Sequence, residues 1–470
     1  MGRRRKKLPI VEQVAVSSIG IKGKPIALID GVVAYLDQGV PGDIVDLQLK
    51  RRKKGYFEAI VLRFHQYSEQ RIPPFCQHFG DCGGCKWQNL PYGEQLKYKQ
   101  KAVWTALEEL HWAEPFEFRD ILPSPSTQYY RNKLEYTFSN RRWLSQAEVE
   151  AGESVTHRNA LGFHVRGRFD RVLDLKECYL QPEPSNAIRQ SLRAFALEHD
   201  LEFYDPIAHT GLLRTLMIRT ASTGEVMVVV VFAWDDRPTI ESVLQHLITE
   251  FPQITALLYT INPKLNDTLF DLEMHRWHGS DYITEQLGDL KFRIGAKSFF
   301  QTNTEQAFHL YQQVADLAGL TGQETVYDLY TGTGTIANFV ARQARQVIGI
   351  EFVAEAIEDA RENARLNQIY NTRFFAGDMK EVLTPDFVAQ QGEPDVLITD
   401  PPRAGMHPDV VEQILQIQPQ RIVYVSCNPH TQGPDLKRLS DQYQLQIVQP
   451  VDMFPQTYHV ENVALLEKRG

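Results

Sequence analysis

No stretch of the chain approaches the roughly 18 uninterrupted apolar residues that a membrane helix needs, so no transmembrane span and no membrane partner are expected. A secretory signal is missing too: Met1-Gly-Arg-Arg-Arg-Lys-Lys7 supplies a positive cluster, but no apolar run follows it. Cysteine is scarce, with five in 470 residues. That is too few for a disulfide scaffold, and without export the thiols are expected to be reduced, metal-bound or catalytic. A cytoplasmic location follows. Internal repeats and low-complexity tracts are also absent.

Excess positive charge is lacking as well. The formal net charge is −9, which taken whole argues against a nucleic-acid partner. The distribution reverses that reading. Residues 1–55 carry twelve Lys and Arg against five Asp and Glu, a local balance of +7 that leaves −16 for the remainder. The runs Arg3-Arg4-Arg5-Lys6-Lys7 and Arg51-Arg52-Lys53-Lys54 concentrate this charge in one small module able to grip phosphates without regard to sequence. A solvated tail and a solvated hairpin edge would explain either run alone; two in one module favour RNA.

At 43% hydrophobic and 23% charged residues the chain is globular, and its length predicts two or three domains. Residues 1–66 read as a small OB-like β-barrel. Its short β-rich segments are Pro25–Ile29, Val32–Leu36, Ile44–Leu49 and Tyr56–Leu62, separated by turns at Asp30-Gly31 and Pro41-Gly42-Asp43. Residues 67–295 begin with Pro73-Pro74 and a cysteine segment. A helical stretch within 93–118 follows, which could pack on the carboxyl-terminal domain, and then a central α/β domain with strands at 134–138, 213–219 and 225–232. Residues 296–470 alternate strands (325–330, 347–351, 373–375, 396–400, 422–426) with helical segments. The pattern predicts a doubly wound, Rossmann-like α/β sheet with its ligand site at the carboxyl ends of the strands.

The strand Val326-Tyr-Asp-Leu-Tyr330 runs into Thr331-Gly-Thr-Gly-Thr335 and then a helix, a turn that lets backbone and helix N–H groups approach a ligand. Glu351 ends the next strand, 17 residues beyond Gly334, where a carboxylate can accept hydrogen bonds from a ribose diol. Two further strands end in Asp378 and Asp400. So many acidic ends around one cleft suit a nucleoside carrying a sulfonium cation better than the pyrophosphate of a dehydrogenase cofactor. A further strand ends in Ser426-Cys427-Asn428-Pro429. A lone cysteine there is most often inert packing.

Asp400-Pro-Pro-Arg403, Val425-Ser-Cys-Asn-Pro429 with Thr431 and Asp435, and Tyr458-His-Val-Glu461 resemble the RNA uracil-5-methyltransferase family, whose members methylate uridine in transfer RNA or 23S ribosomal RNA. Phe299-Phe-Gln301-Thr-Asn303 matches the segment that opens the family's catalytic domain. Residues 1–66 resemble a TRAM domain, with Val40-Pro-Gly-Asp43 at its turn. The resemblance covers essentially the whole chain and implies a class I methyltransferase domain that uses S-adenosylmethionine. Cys427 would be the nucleophile that adds to carbon 6 of uracil, making carbon 5 reactive, and Glu461 the general base that removes its proton. The Cys427 pKa is expected to fall from about 8.5 toward neutrality. Gln301 and Asp400 would hold the methyl donor or the uracil edge. Tyr330 would pack on the donor, Glu351 would bind its ribose, and Thr335 and Asp378 would complete its pocket. Thr331 departs from the Cys many relatives carry.

Cys76, Cys82 and Cys85 form C-x5-C-x2-C, and Cys178 lies far downstream. Four thiols can complete one tetrahedral site, and spacing alone does not choose between zinc and an iron–sulfur cluster. The resemblance implies a [4Fe–4S] cluster with a structural role. The barrel together with the four thiols looks most like the 23S ribosomal RNA branch. A transfer-RNA uracil-5-methyltransferase and a non-catalytic RNA-binding or RNA-folding protein are the competing readings. The target uridine must be flipped out or unpaired, Tyr129-Tyr-Arg-Asn-Lys133 is a candidate RNA contact or an ordinary strand start, and the protein is expected to be a monomer.

Overall fold

The computed structural model describes residues 9–152 and 158–470; the run Arg3–Lys7 lies outside them. The strands β1 (Ile10–Ile19), β2 (Pro25–Ile29), β3 (Val32–Leu36), β4 (Ile44–Lys53) and β5 (Tyr56–Gln66) close into a barrel with neighbours in the order β1-β2-β3-β5-β4. Strict alternation puts Val45, Leu47 and Leu49 of β4 inside. β1 is not readable from that pattern. Its pairing shifts register between Val11 and Val14 and again between Val16 and Ser18, so its apolar residues do not alternate. The Val40–Asp43 turn is fastened by the wholly buried Asp43. Its carboxylate accepts from Val40 N (2.6 Å), Ser68 N (2.8 Å) and the Arg71 guanidinium (2.8 and 2.6 Å). Arg51–Lys53 are exposed at the end of β4.

The cysteine segment has no regular strand and touches the central sheet through a bridge between Cys82 and Val165. Helix α1 (Tyr92–Glu108) and the short β6 (Glu117–Phe118) follow, then β7 (Lys133–Ser139), α2 (Gln146–Ala151), β8 (Ala160–His164), β9 (Val172–Asp174), α3 (Ser185–Glu198), β10 (Leu213–Thr220), β11 (Val226–Phe232), α4 (Arg237–Glu250), β12 (Ala256–Ile261) and β13 (His275–Gly279). The central sheet runs β13-β12-β11-β10-β7-β8-β9. Its interior strand β11, between β12 and β10, is an unbroken apolar run buried throughout, as a strand covered on both faces requires. A hairpin of β14 (Tyr282–Leu287) and β15 (Leu290–Gly295) then leads into the final sheet.

That sheet is built from α5 (Thr304–Ala318), β16 (Thr325–Leu329), α6 (Thr335–Ala341), β17 (Gln346–Glu351), α7 (Ala354–Leu366), β18 (Thr372–Ala376), α8 (Met379–Val382), α9 (Pro385–Gln391), β19 (Val396–Thr399), α10 (Pro408–Ile417), β20 (Arg421–Ser426), α11 (Pro429–Leu439), β21 (Tyr443–Val451) and β22 (Glu461–Lys468). The strand order is β18-β17-β16-β19-β20-β22-β21-β6. The strands β16 to β20 are mutually parallel, and β22 is antiparallel to β20. Order reverses beside β16, so the turn after it opens at the switch point where an α/β sheet leaves a crevice. Two layers of core close the sheet, one including Val326, Ile398 and Val423 and the other Tyr327, Leu397 and Tyr424. The early residues Glu117–Phe118 supply the last strand of this sheet, and α1 packs on α11. No helix among the described residues is long and apolar enough to cross a membrane.

Candidate active site

The turn after β16 depends on Gly334, which caps α6 at φ 73°. A Cβ there would lie 2.8 Å from that of Ala360, so only glycine lets the turn sit against α7. Beneath the turn the buried Asp328 accepts a hydrogen bond from the Thr331 hydroxyl and another from Ala337 N (3.1 Å). It thereby staples strand, turn and helix, and the residue that departs from the family's cysteine has a job of its own. Glu351, at the end of β17, accepts from Gly332 N (3.1 Å) and Val353 N (3.0 Å), which sets its carboxylate against the glycine turn. The Thr335 hydroxyl is 3.2 Å from that of Thr333, and Tyr330 is half-buried at φ 62°. Gln301 is buried, and its main-chain carbonyl accepts from the Asn132 side chain (2.9 Å). Asp378 stands at the next strand end but caps α8, accepting from Lys380 N (3.2 Å), with the Lys380 ammonium at 3.4 Å. Its carboxylate is committed locally.

Cys427 lies between β20 and α11, and Asn428 caps that helix. The pairing of β20 with β22 sets Ser426 opposite Asn462, which places Cys427 and Glu461 one step further along the same strand pair. The loop after β19 is stitched to α11. The Arg403 carbonyl accepts from Asn428 Nδ2 (3.1 Å) and Thr431 Oγ1 (3.2 Å), and Asp435 accepts from Met406 N (2.9 Å) and the Tyr424 hydroxyl (2.7 Å). The motif residues Thr431 and Asp435 thus hold Asp400–Arg403 beside Cys427.

The electrostatics run against one expectation. The Cys427 thiol is pushed up to about 12, first by burial and then by the Glu461 and Asp400 carboxylates, with Arg403 opposing. The predicted fall toward neutrality is absent because burial disfavours the thiolate and the neighbouring acids add to that, with one cation too little to offset them. Burial also raises Glu461 to about 8, and Asp400 and Asp328 each to about 7, the neighbouring acids adding to it. Sequence reasoning missed Asp328, visible only as an acid inside an apolar strand. It also missed Tyr311, on the buried stripe of α5, whose hydroxyl is raised well above its usual value by burial and by Asp400, Asp328 and Glu461.

Cys76, Cys82, Cys85 and Cys178 line one small cavity with Phe163, Leu175 and Leu180. Burial raises all four thiols, Cys82 to about 11 and Cys85 to about 12. Among the described residues no three or more His, Cys, Asp or Glu side chains close on one point as a single bound ion requires. In the 129–133 segment the Tyr130 hydroxyl donates to Pro455 O (2.9 Å) and Asn132 ties to the Gln301 segment, so both serve the fold. Tyr129 is exposed.

A sheet of this order, with a glycine turn and acidic strand ends along its carboxyl edge, is a Rossmann-like domain whose cleft suits a nucleoside-bearing ligand. A family model described as tRNA (uracil-5-)-methyltransferase matches residues 276–469. An RNA methyltransferase of Bacteroides thetaiotaomicron is 55% identical over 451 residues, covering 95% of this chain and 99% of the relative. One from Porphyromonas gingivalis is 52% identical over 458 residues, covering 96% and 98%. The crystal structure of the Pyrococcus abyssi tRNA (uracil-54, C5)-methyltransferase with S-adenosyl-L-homocysteine superposes with a TM-score of 0.75 at 27% identity, covering 97% of this chain and all of that one. The chain belongs to the RNA uracil-5-methyltransferase family, enzymes that use S-adenosylmethionine.

Proposed function

We propose that this protein methylates carbon 5 of a uridine in 23S ribosomal RNA through a transient bond from Cys427 to carbon 6. The observation that carries the reading is the pairing of β20 with β22, which sets a thiol beside a buried carboxyl poised near pH 8. S-adenosylmethionine supplies the electrophilic methyl group; Glu351, Tyr330, Thr335, Gln301 and Asp400 are the residues that would hold it or the uracil edge, and Asp378 has the smallest share because it caps α8. The Cys427 thiolate forms the sulfur–carbon 6 bond, and the displaced π electrons move toward the carbonyl at carbon 4. Carbon 5 then takes the methyl. Glu461 accepts the proton from carbon 5, the electron pair re-forms the ring double bond, and Cys427 leaves as thiolate. Arg403, whose charge eases ionisation of both Cys427 and Glu461, supports the anionic stages.

The barrel, with exposed Arg51–Lys53, is the RNA-gripping domain in this reading. The four thiols would hold a [4Fe–4S] cluster, the group the family resemblance implies: all four cysteine side chains line one cavity. Its contribution is cohesion between the cysteine segment and the central sheet. The Pyrococcus structure favours a second reading, a transfer-RNA substrate.

The test uses purified enzyme with S-adenosylmethionine, unmodified 23S fragments and transfer-RNA transcripts, each also made with 5-fluorouridine. Fluorine cannot leave as a proton, so a covalent adduct at Cys427 should accumulate on 23S RNA. An adduct and 5-methyluridine on transfer RNA alone would transfer the assignment to the second reading. No adduct on either would end the covalent mechanism.

A further inference from the structure

The segment Asp452–Tyr458 joins β21 to β22 and delivers His459 and Glu461 to the site, yet it has no secondary structure of its own beyond tight turns. Four successive carbonyls in it are held from outside. Met453 O accepts from Asn303 Nδ2 (3.0 Å), Phe454 O from the Lys99 ammonium (2.9 Å), Pro455 O from the Tyr130 hydroxyl (2.9 Å), and Gln456 O from the backbone N–H groups of Lys86 (2.8 Å) and Trp87 (3.1 Å). The donors come from the start of α5, from α1, from the strand start of the central sheet and from the residues just after Cys85. Asp452 is ion-paired to the fully buried Lys99 and accepts from the Tyr92 hydroxyl (2.8 Å).

Gln456 is the centre of this clamp. It is buried, and its φ of 67° lies in the left-handed region that a non-glycine residue occupies only when its surroundings enforce it. Gln95 of α1 enforces it. Gln95 Oε1 accepts from Gln456 N (2.9 Å), and its amide nitrogen, with two hydrogens to give, lies 3.0 Å from each of three acceptors, Gln456 Oε1, Trp87 O and Leu90 O. One buried side chain therefore ties the cysteine loop, α1 and the segment five residues ahead of Glu461 into a single unit. The barrel reaches the same junction: the Trp87 indole donates to Gly23 O (3.3 Å), and Trp87 packs with Val40 and Leu90.

We infer that Gln95 is a positioning residue for proton removal from carbon 5, holding Gln456 and the cysteine loop so that Glu461 meets the substrate. This rests on Glu461 being the base, as proposed above, and it holds whatever the four thiols bind. Its consequence is specific to one step. Bond formation by Cys427 and methyl transfer come first, and abstraction of the carbon 5 proton with release of sulfur comes last. A misplaced base should therefore leave enzyme and methylated RNA covalently joined, whereas general loss of folding removes adduct and product together.

The test compares full-length wild-type enzyme, Gln95→Met, Tyr130→Phe and Glu461→Gln on unmodified RNA substrate with S-adenosylmethionine. Denaturing gels read the fraction of RNA bound to protein, mass spectrometry reads 5-methyluridine released, and a thermal melt reports folding. Gln95→Met keeps the volume and removes the hydrogen bonds; Tyr130→Phe removes one clamp bond and serves if Gln95→Met does not fold. Glu461→Gln should trap most of the RNA. Gln95→Met should slow release at least about tenfold while the bound fraction rises several-fold above wild type, with Tyr130→Phe showing the same pattern more weakly. If Glu461→Gln traps RNA while the clamp variants lose adduct and product in parallel, or change neither, the inference is overturned. If Glu461→Gln traps nothing, the base assignment falls and the inference falls with it.

Discussion

The buried acids of the site should make the resting enzyme lose stability as pH rises, and Asp400 gives the cleanest measure. Its carboxyl titrates near 3.8 in an unfolded chain and is raised to about 7 in the folded one, chiefly by burial and then by Asp328. Below pH 3.8 both states are protonated and the group contributes nothing. Between the two values the unfolded chain ionises and the folded one does not, so stability drains at about 1.4 kcal/mol per pH unit, to a ceiling of about 4 kcal/mol above pH 7. Part of Asp400 opens to the cleft, so solvent relieves some of that penalty. By pH 5.5 somewhat over half has accrued, leaving about 2 kcal/mol between pH 5.5 and 8. Asp400→Asn removes the ionisation, so its stabilisation relative to wild type should be larger at pH 8 than at pH 5.5 by about that amount, roughly 4–8 °C in Tm for a domain of this size. Scanning calorimetry of both proteins at the two pH values measures it. An equal gain at both, or a larger gain at pH 5.5, would refute the assignment of a raised carboxyl.

Release of methylated RNA should rise about tenfold from pH 7 to pH 9, because ionised Glu461 grows from about one tenth to about nine tenths across a pKa of about 8; rapid-quench assays of adduct decay read this limb, and a flat profile would exclude Glu461 as the base. Iodoacetamide should label Cys427 in the resting enzyme at pH 9 at least about a hundredfold more slowly than a free cysteine, and Glu461→Gln should speed it by removing the larger of the two negative neighbours; mass spectrometry of the labelled peptide reads both. Protein purified without oxygen should carry about four irons per chain, lost in Cys85→Ser and retained in Cys427→Ala; stoichiometric zinc instead would replace the cluster.

The sheet was legible because β16, β19 and β20 are short apolar runs ended by polar residues, a pattern that leaves little choice but central parallel strands. The turn at Thr331–Thr335 was legible for the same reason: glycine at φ 73° is a requirement that sequence must state openly. β1 was not, since bulges break its alternation, and Glu117–Phe118 was not, since two residues carry no periodicity. In the candidate site, the motifs singled out Cys427 and Glu461, which the strand pairing makes neighbours, but not the direction of the thiol's pKa. That direction depends on which side chains face the sulfur across a strand pair, a long-range fact with no local signature. The clamp on Gln456 is hidden for the same reason, since Gln95 and Gln456 are 361 residues apart.

The resting thiol and the resting acids make sense together. A thiolate, two carboxylates and no ligand in one buried pocket would be three like charges with only Arg403 opposite, and burial multiplies the cost of each. Protonation removes that conflict: near pH 7 the Glu461 carboxyl is mostly neutral, Asp400 is about half so, and Cys427 holds its proton. If the methyl donor is held as proposed, its positive sulfonium would stand beside the acidic strand ends and stabilise the anions there. In that reading activation of Cys427 belongs to the donor-bound site. In the proposed mechanism Cys427, its thiol raised to about 12 by burial and its acidic neighbours, would ionise only when that positive charge and the uracil arrive together.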